Sequence, residues 1–196
     1  MAVPMEYGAA LKARIVPLMC GVGPVEAALS MGRALQQLAQ GAQLPDLIVS
    51  LGSAGSARLE QGEIYQAASV SYRDIDASPL GFTKGVTPFL DHPVEIPLFC
   101  PYADLPKARL SSGGNIVSGD AYRQIDADMV DMETFAIKRA ADVFGVPLLG
   151  LRGISDGREP LSKYEDWTAY LSDIDVKLAG VIDQLEAVLV SSHAAT

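Results

Sequence analysis

The sequence predicts an α/β fold: one domain over residues 1–196, built on a central mixed β-sheet flanked by helices. Three observations predict it. Short apolar runs of strand length alternate with amphipathic stretches of helical length along the whole chain. Small residues follow two of the runs at Gly21-Val22-Gly23-Pro24 and Gly52-Ser53-Ala54-Gly55, where backbone approaches a ligand easily. Two carboxylates close two successive strand-like segments, in Val130-Asp131-Met132-Glu133 and Ile154-Ser155-Asp156. If those strands lie in one parallel sheet, both acids face the crevice where open α/β sheets bind ligands.

Composition narrows the class. The 196 residues, 49% of them hydrophobic, suffice for a full core. No apolar run has the length of a membrane span. Pro4, Glu6, Lys12 and Arg14 break up the first twenty residues, so no signal peptide is expected and the cytoplasm is the expected location. A net charge of −9 argues against nucleic acid, whose phosphates need clustered Lys and Arg. Cys20 and Cys100 make neither a disulfide framework nor a zinc site, and His92 and His193 lack metal-ligand spacing. No metal or organic cofactor is expected.

In chain order, Ala13 to Cys20 reads as a strand, with Pro17 suggesting an edge or bulge. Pro24 suits the first turn of a helix to about Gln40, in which Val25, Ala28, Leu29, Leu35 and Leu38 keep helical spacing. Its Gly-rich entry offers backbone N–H groups to an anion or hydroxyl, although it is not a full dinucleotide signature. Leu47 to Leu51 reads as a buried strand before a small-residue turn. Gly62 to Tyr72 reads as another. Residues 73–93 form a long irregular loop with Phe82 and Phe89, a length that usually means an interface or a lid. Ile116-Val117 reads as a short strand into Ser118-Gly119-Asp120-Ala121-Tyr122-Arg123. Thr134 to Phe144 is helical, ended by Gly145 and Pro147, and Pro147 to Ile154 is the next strand. Arg158-Glu159-Pro160 is a loop. From Lys163 one long helix keeps its apolar face through Trp167, Tyr170, Ile174, Leu178 and Leu189, and Ser191 to Thr196 is a tail.

Gly21-Val22-Gly23, Gly52-Ser53-Ala54-Gly55, Ser118-Gly119-Asp120, Asp131-Met132-Glu133 and Ile154-Ser155-Asp156 resemble, in this order, the motifs of the nucleoside phosphorylase superfamily. The nearest resemblance is to its 5′-methylthioadenosine/S-adenosylhomocysteine nucleosidase branch, and it covers nearly the whole chain. It implies a nucleoside phosphorylase-like fold and hydrolysis of the N-glycosidic bond of an adenine thionucleoside. The transition state has ribosyl oxocarbenium character, and the leaving base needs a proton. The resemblance makes Asp156 the acid at adenine N7, with Ser155 supporting it, and burial must raise its pKa for that task. It makes Glu133 the carboxylate that holds the ribose hydroxyls beside Met132, and Glu6 the water-activating glutamate. Arg152 is placed near the attacking water, or in a salt bridge to Glu133 or Glu6. Ser53 is expected by the ribose and water. Tyr122 stands where an aromatic stacks on adenine, and the Arg123 backbone where the base edge is read. Tyr164 is expected over the 5′ substituent, with Trp167 a weaker candidate, and Met5 and Met132 as thioether contacts. The family's usual Glu-Met-Glu here begins with Asp131. The 72–93 loop implies a homodimer, with Phe82, Pro88 and Phe89 as interface candidates. Two other readings stay open. One is a purine nucleoside phosphorylase, against which Ser50 stands where those enzymes carry a phosphate-binding arginine. The other is a nucleoside-binding protein without turnover.

Overall fold

The structure is a computed structural model that describes residues 1–157 and 159–194. Its spine is a parallel pair, Ile48–Gly55 (β1) and Leu148–Asp156 (β6), in register from Ile48 opposite Leu148 to Ala54 opposite Ile154. Both strands are near-continuous apolar runs, as strands covered on two faces must be. Leu149, Leu151 and Ile154 are fully buried, and burial of each such side chain contributes about 1.5–3 kcal/mol.

Ile64–Tyr72 (β2), Glu95–Pro97 (β3), Lys107–Ser112 (β4) and Met129–Asp131 (β5) complete the mixed sheet, in the order β3-β2-β4-β5-β1-β6. β2, β4 and β5 run parallel to one another, while β5 crosses β1 antiparallel at the single pair Gly55–Val130. Ile64 to Gln66 then pair antiparallel with Gly153 to Leu151, so the sheet closes into a ring with β3 left on the outside.

Helices cover the ring. Pro24–Gln40 (α2) packs with Thr134–Val143 (α3) on one side, through Ala27, Leu35, Ala136 and Ile137. Leu171–Asp183 (α5) turns Leu171, Ile174 and Leu178 inward on the other, against Leu51, Leu149 and Leu151. The Asp175 carboxylate on α5 accepts N–H bonds from Gly8, Ala10 and Leu11, at 2.9, 2.8 and 3.3 Å. It thereby caps the short helix Ala9–Lys12 (α1) and fixes the segment just before it. Tyr164–Thr168 (α4) and Leu185–Ala194 (α6) finish the chain. Among the described residues no helix is long and apolar enough to cross a membrane.

The α/β class and the mixed sheet agree with the sequence, and α2 has the expected bounds. Several elements differ. Residues 13–20 are not a strand: Val16 and Leu18 point to solvent, and the N–H groups of Cys20 and Gly21 donate to the carbonyls of Met1 and Ala2. Gly52 to Gly55 continue β1 rather than turning. Ile116-Val117 is coil, while β3 and β4 were not expected. The long C-terminal helix is three, α4, α5 and α6, and the expected tail is helical to Ala194. Arg158, part of an expected loop, and Ala195 and Thr196 of the tail lie outside the described residues.

Candidate active site

Glu133 and Asp156 end strands that are not parallel to each other: β5 opposes β1, and β1 parallels β6. Gly55 of β1 pairs with Val130 on one side and with Asp156 on the other, and this shared neighbour, rather than a parallel sheet, brings them to one cavity of about 760 Å³. Its wall includes Met5, Glu6, Val22, Ser53, Gly55, Arg73, Asn115, Ser118, Tyr122, Met132, Glu133, Ser155, Asp156, Leu161, Tyr164 and Trp167. A small void lined by Glu6, Ser50, Ser53, Glu133 and Arg152 adjoins it.

Glu133 reaches the cavity because other groups cap α3. The Asp131 carboxylate accepts from Thr134 N–H at 3.1 Å and from the Thr134 hydroxyl, and Ser112 Oγ accepts from Phe135 N–H at 2.9 Å. Ser112 in turn donates to Asp131 Oδ1 at 2.5 Å. Glu133 stands at the cap position with no capping bond of its own. It instead accepts the Gly23 N–H at 2.9 Å, where Gly23 opens α2 with φ +88°, a conformation few side chains allow. So the Gly-rich entry of α2 does meet an anion, a protein carboxylate. Burial, with Asp131 beside it, pushes the Glu133 pKa up to about 7.

Asp156 follows a bulge. The register moves from Ala54–Ile154 to Gly55–Asp156, which leaves Ser155 unpaired and re-aims the acid. The Ser155 hydroxyl donates to Asp156 Oδ1 at 2.6 Å. Burial nevertheless raises the Asp156 pKa above its ordinary value, with the Ser155 bond opposing it. Tyr122 brings its buried hydroxyl to the same corner, without a protein partner among the described residues. A side chain on Gly55 would collide with both that hydroxyl and Asp156. Burial, then the Asp156 charge, raises the Tyr122 pKa.

Glu6 closes the 3-10 turn Pro4–Glu6, just before the segment held by Asp175. Its Oε1 accepts from Ser53 N–H at 2.7 Å and from the Ser53 hydroxyl at 2.8 Å. Among the described residues its buried Oε2 has no protein partner.

Arg152 is buried, and its ion pair is with Asp131, at 3.0 Å. It is not bound to Glu133 or Glu6. Its remaining donors go to the carbonyls of Ser50 and Leu151, the Ser50 hydroxyl and Thr134 Oγ1. It lines the small void, not the large cavity. The Arg123 side chain is exposed, paired with Asp120, and Arg123 is not among the cavity-lining residues. Tyr164 is half exposed at the rim, its ring against Trp167. Arg73 is a wall residue that sequence reasoning missed. Its guanidinium donates to the carbonyls of Ser111, Asp131, Gly113 and Asn115. The only signal in the sequence is an arginine directly after a strand. Among the described residues no group of three or more His, Cys, Asp or Glu is placed to hold a metal ion.

The site therefore combines a carboxyl held towards its neutral form, a second carboxyl poised near neutrality, and a third with one oxygen free in a buried wall. That set can protonate a leaving group, hold hydroxyls and orient a water. The chain matches the family model of the phosphorylase superfamily over residues 4–185. It is 34% identical over 163 residues to the 5′-methylthioadenosine/S-adenosylhomocysteine nucleosidase of Haemophilus influenzae (strain PittEE), covering 73% of this chain and 68% of that protein. Two solved structures share the fold. The Campylobacter jejuni 5′-methylthioadenosine/S-adenosylhomocysteine nucleosidase aligns with a TM-score of 0.72 at 19% identity, over 86% of this chain and 79% of that one. The futalosine hydrolase of Helicobacter pylori strain 26695 aligns with a TM-score of 0.69 at 17% identity, over 97% and 95%. With three carboxyls gathered in one cavity, a family match over residues 4–185 and a relative 34% identical over 73% of its length, the chain belongs to the phosphorylase superfamily and, within it, to the 5′-methylthioadenosine/S-adenosylhomocysteine nucleosidase family.

Proposed function

We propose that this N-glycosidase hydrolyses 5′-methylthioadenosine and S-adenosylhomocysteine and releases adenine. The observation that carries the reading is the convergence of Asp156, Glu133 and Glu6 on one cavity, the first two pushed towards their neutral forms by burial and the third with one oxygen that no described protein group bonds. Asp156, pushed towards its neutral form by burial, gives its proton or a hydrogen bond to adenine N7 as the bond to ribose breaks. Ser155 steadies it. Glu133, ionised when ribose is bound, accepts the ribose hydroxyls and faces the developing cation, with Met132 packed beside the sugar. Glu6 takes a proton from the water that attacks the anomeric carbon, through the oxygen that no protein group occupies. Ser53 holds its other oxygen.

Tyr122 packs against the base, and Arg123, outside the cavity lining, is given no contact with it. Tyr164 borders the 5′ substituent, for which Met5 and Met132 are soft contacts. Arg152 acts next to the water site, through the void it shares with Glu6 and Glu133.

A homodimer through residues 72–93 completes the reading. In that loop Leu80 and Phe89 are 80% and 95% exposed, and Phe89 has φ +65°, uncommon for a bulky residue. Phe82 lies edge-on to Phe89. Such apolar exposure marks a contact surface.

The test is adenine release from 5′-methylthioadenosine with and without phosphate, with the sugar product identified by chromatography. Free methylthioribose at equal rates supports the hydrolase. A sugar 1-phosphate formed only with phosphate would make the protein a phosphorylase. Binding without product would make it a nucleoside-binding protein.

A further inference from the structure

Trp167 is the single tryptophan of the chain. It stands on α4, at the cavity wall, and its indole N–H donates to Ser53 Oγ of β1 at 3.1 Å. The same Ser53 oxygen lies 2.8 Å from Glu6 Oε1. An indole nitrogen only donates, whereas a serine hydroxyl has one proton and two lone pairs. The indole therefore occupies a lone pair of Ser53 Oγ and leaves the single Ser53 proton for Glu6. Oε1 of Glu6 is then held by two donors, the Ser53 hydroxyl and backbone N–H, and Oε2 remains without a protein partner among the described residues.

We propose that Trp167 is a positioning residue for Glu6: through the Ser53 hydroxyl it fixes the carboxylate in the orientation that presents Oε2 to the attacking water. The proposal rests on the reading of Glu6 as the group that activates water. It links two ends of the site. The ring of Tyr164, on the same short helix, lies 5.4 Å from that of Trp167. The seating that places Tyr164 at the rim also completes the hydrogen-bond chain from Trp167 through Ser53 to Glu6.

Because tryptophan occurs once, its N–H can be removed with only a small change in the shape of one ring. Biosynthetic replacement of tryptophan by benzothienylalanine exchanges that N–H for sulfur. With 5′-methylthioadenosine as substrate, kcat falls about tenfold, the value of one well-made hydrogen bond. Affinity for 5′-methylthiotubercidin, whose base has carbon in place of N7, stays within about twofold by calorimetry, since Trp167 acts on the water and not on binding. In a Ser53→Ala background the same replacement changes kcat no further, because the hydroxyl to be oriented is gone. Unchanged kcat in the benzothienyl protein overturns the proposal, and so does a loss that persists in Ser53→Ala. Glu6→Gln separates this from the underlying reading. If Glu6→Gln turns over normally, Glu6 is not the base and both fall. If Glu6→Gln is inactive while the benzothienyl protein matches wild type, only the role of Trp167 falls.

Discussion

Asp156 and Glu133 are both pushed towards the neutral form by burial, but a different neighbour works on each. Asp156 has a hydroxyl donor that opposes the shift, and Glu133 has a second acid that adds to it. Asp156→Asn keeps the shape and loses the transferable proton, so kcat falls about 100-fold or more while the thermal midpoint stays near wild type. Steady-state kinetics beside a melt checks this, and an unchanged kcat would remove Asp156 from the chemistry. For Glu133 the sign follows from its pKa, about 7 in the folded protein against an ordinary 4.5. Between those values the folded state holds a proton that the unfolded chain has lost. Its stabilising contribution is thus full below the lower value and disappears as pH rises through the higher one. Glu133→Gln has no charge to bury, so its thermal midpoint gains on wild type between about pH 5 and pH 8. Ligand binding runs the other way, because ribose hydroxyls donate best to the ionised form. Affinity for 5′-methylthiotubercidin rises through the same range in wild type and stays flat in the Gln variant. The two acids were legible in sequence because each closes a strand-like segment. That burial must raise Asp156 was legible too. The partner of Arg152 was not, since its pairing with Asp131 depends on how β5 and β6 lie in space.

At the scale of elements, α3 depends on the residue that replaces the family's usual first glutamate. Asp131 is short enough to accept from Thr134 one turn on, and it also neutralises the buried Arg152. Asp131→Ala removes the cap and leaves a guanidinium buried without its anion, a loss of about 3–5 kcal/mol. Asp131→Asn retains an acceptor for Thr134 and costs less; urea denaturation of both variants gives the order, and equal losses would reject the capping role. Elements with a strong period or clear punctuation were legible: α2 between Pro24 and Gly41, and α3 before Gly145. β4 escaped because Lys107-Ala108-Arg109-Leu110-Ser111-Ser112 carries charge and hydroxyls on a strand-length run. Arg109 is accommodated by Glu95 of β3, at 2.9 Å, and by Asp126, none of which a local pattern reveals. Residues 13–20 misled in the opposite sense: an apolar run with Pro17 at its centre is coil, its exposed side chains turned away from the sheet. The glycines of Gly52 to Gly55 suggested a turn, but they serve a strand that must let Glu6, Tyr122 and Asp156 come close.

At the scale of the whole molecule, the 72–93 loop carries the proposed assembly. The family resemblance implies that a neighbouring subunit completes the pocket for the 5′ group there, so Phe89→Asp together with Leu80→Asp lowers the sedimenting mass to that of one chain and raises KM for 5′-methylthioadenosine about tenfold or more. A variant that still sediments as a pair, or a monomer with wild-type KM, would count against that arrangement. The closed ring has another consequence, for the order in which the protein can be made. Ile48 pairs with Leu148 and Ala54 with Ile154, so β1 waits for a hundred further residues before its parallel neighbour exists. Contacts this distant in sequence form slowly, and a nascent chain that stops short of β6 holds an unpaired apolar edge. Glu6 and Ser53 stand on the early wall of the cavity, Asp156 and Trp167 on the late one. On the ribosome, then, the cavity stays open until β6 slots between β1 and β2, and Glu6 is held only once α4 and α5 follow with Trp167 and Asp175.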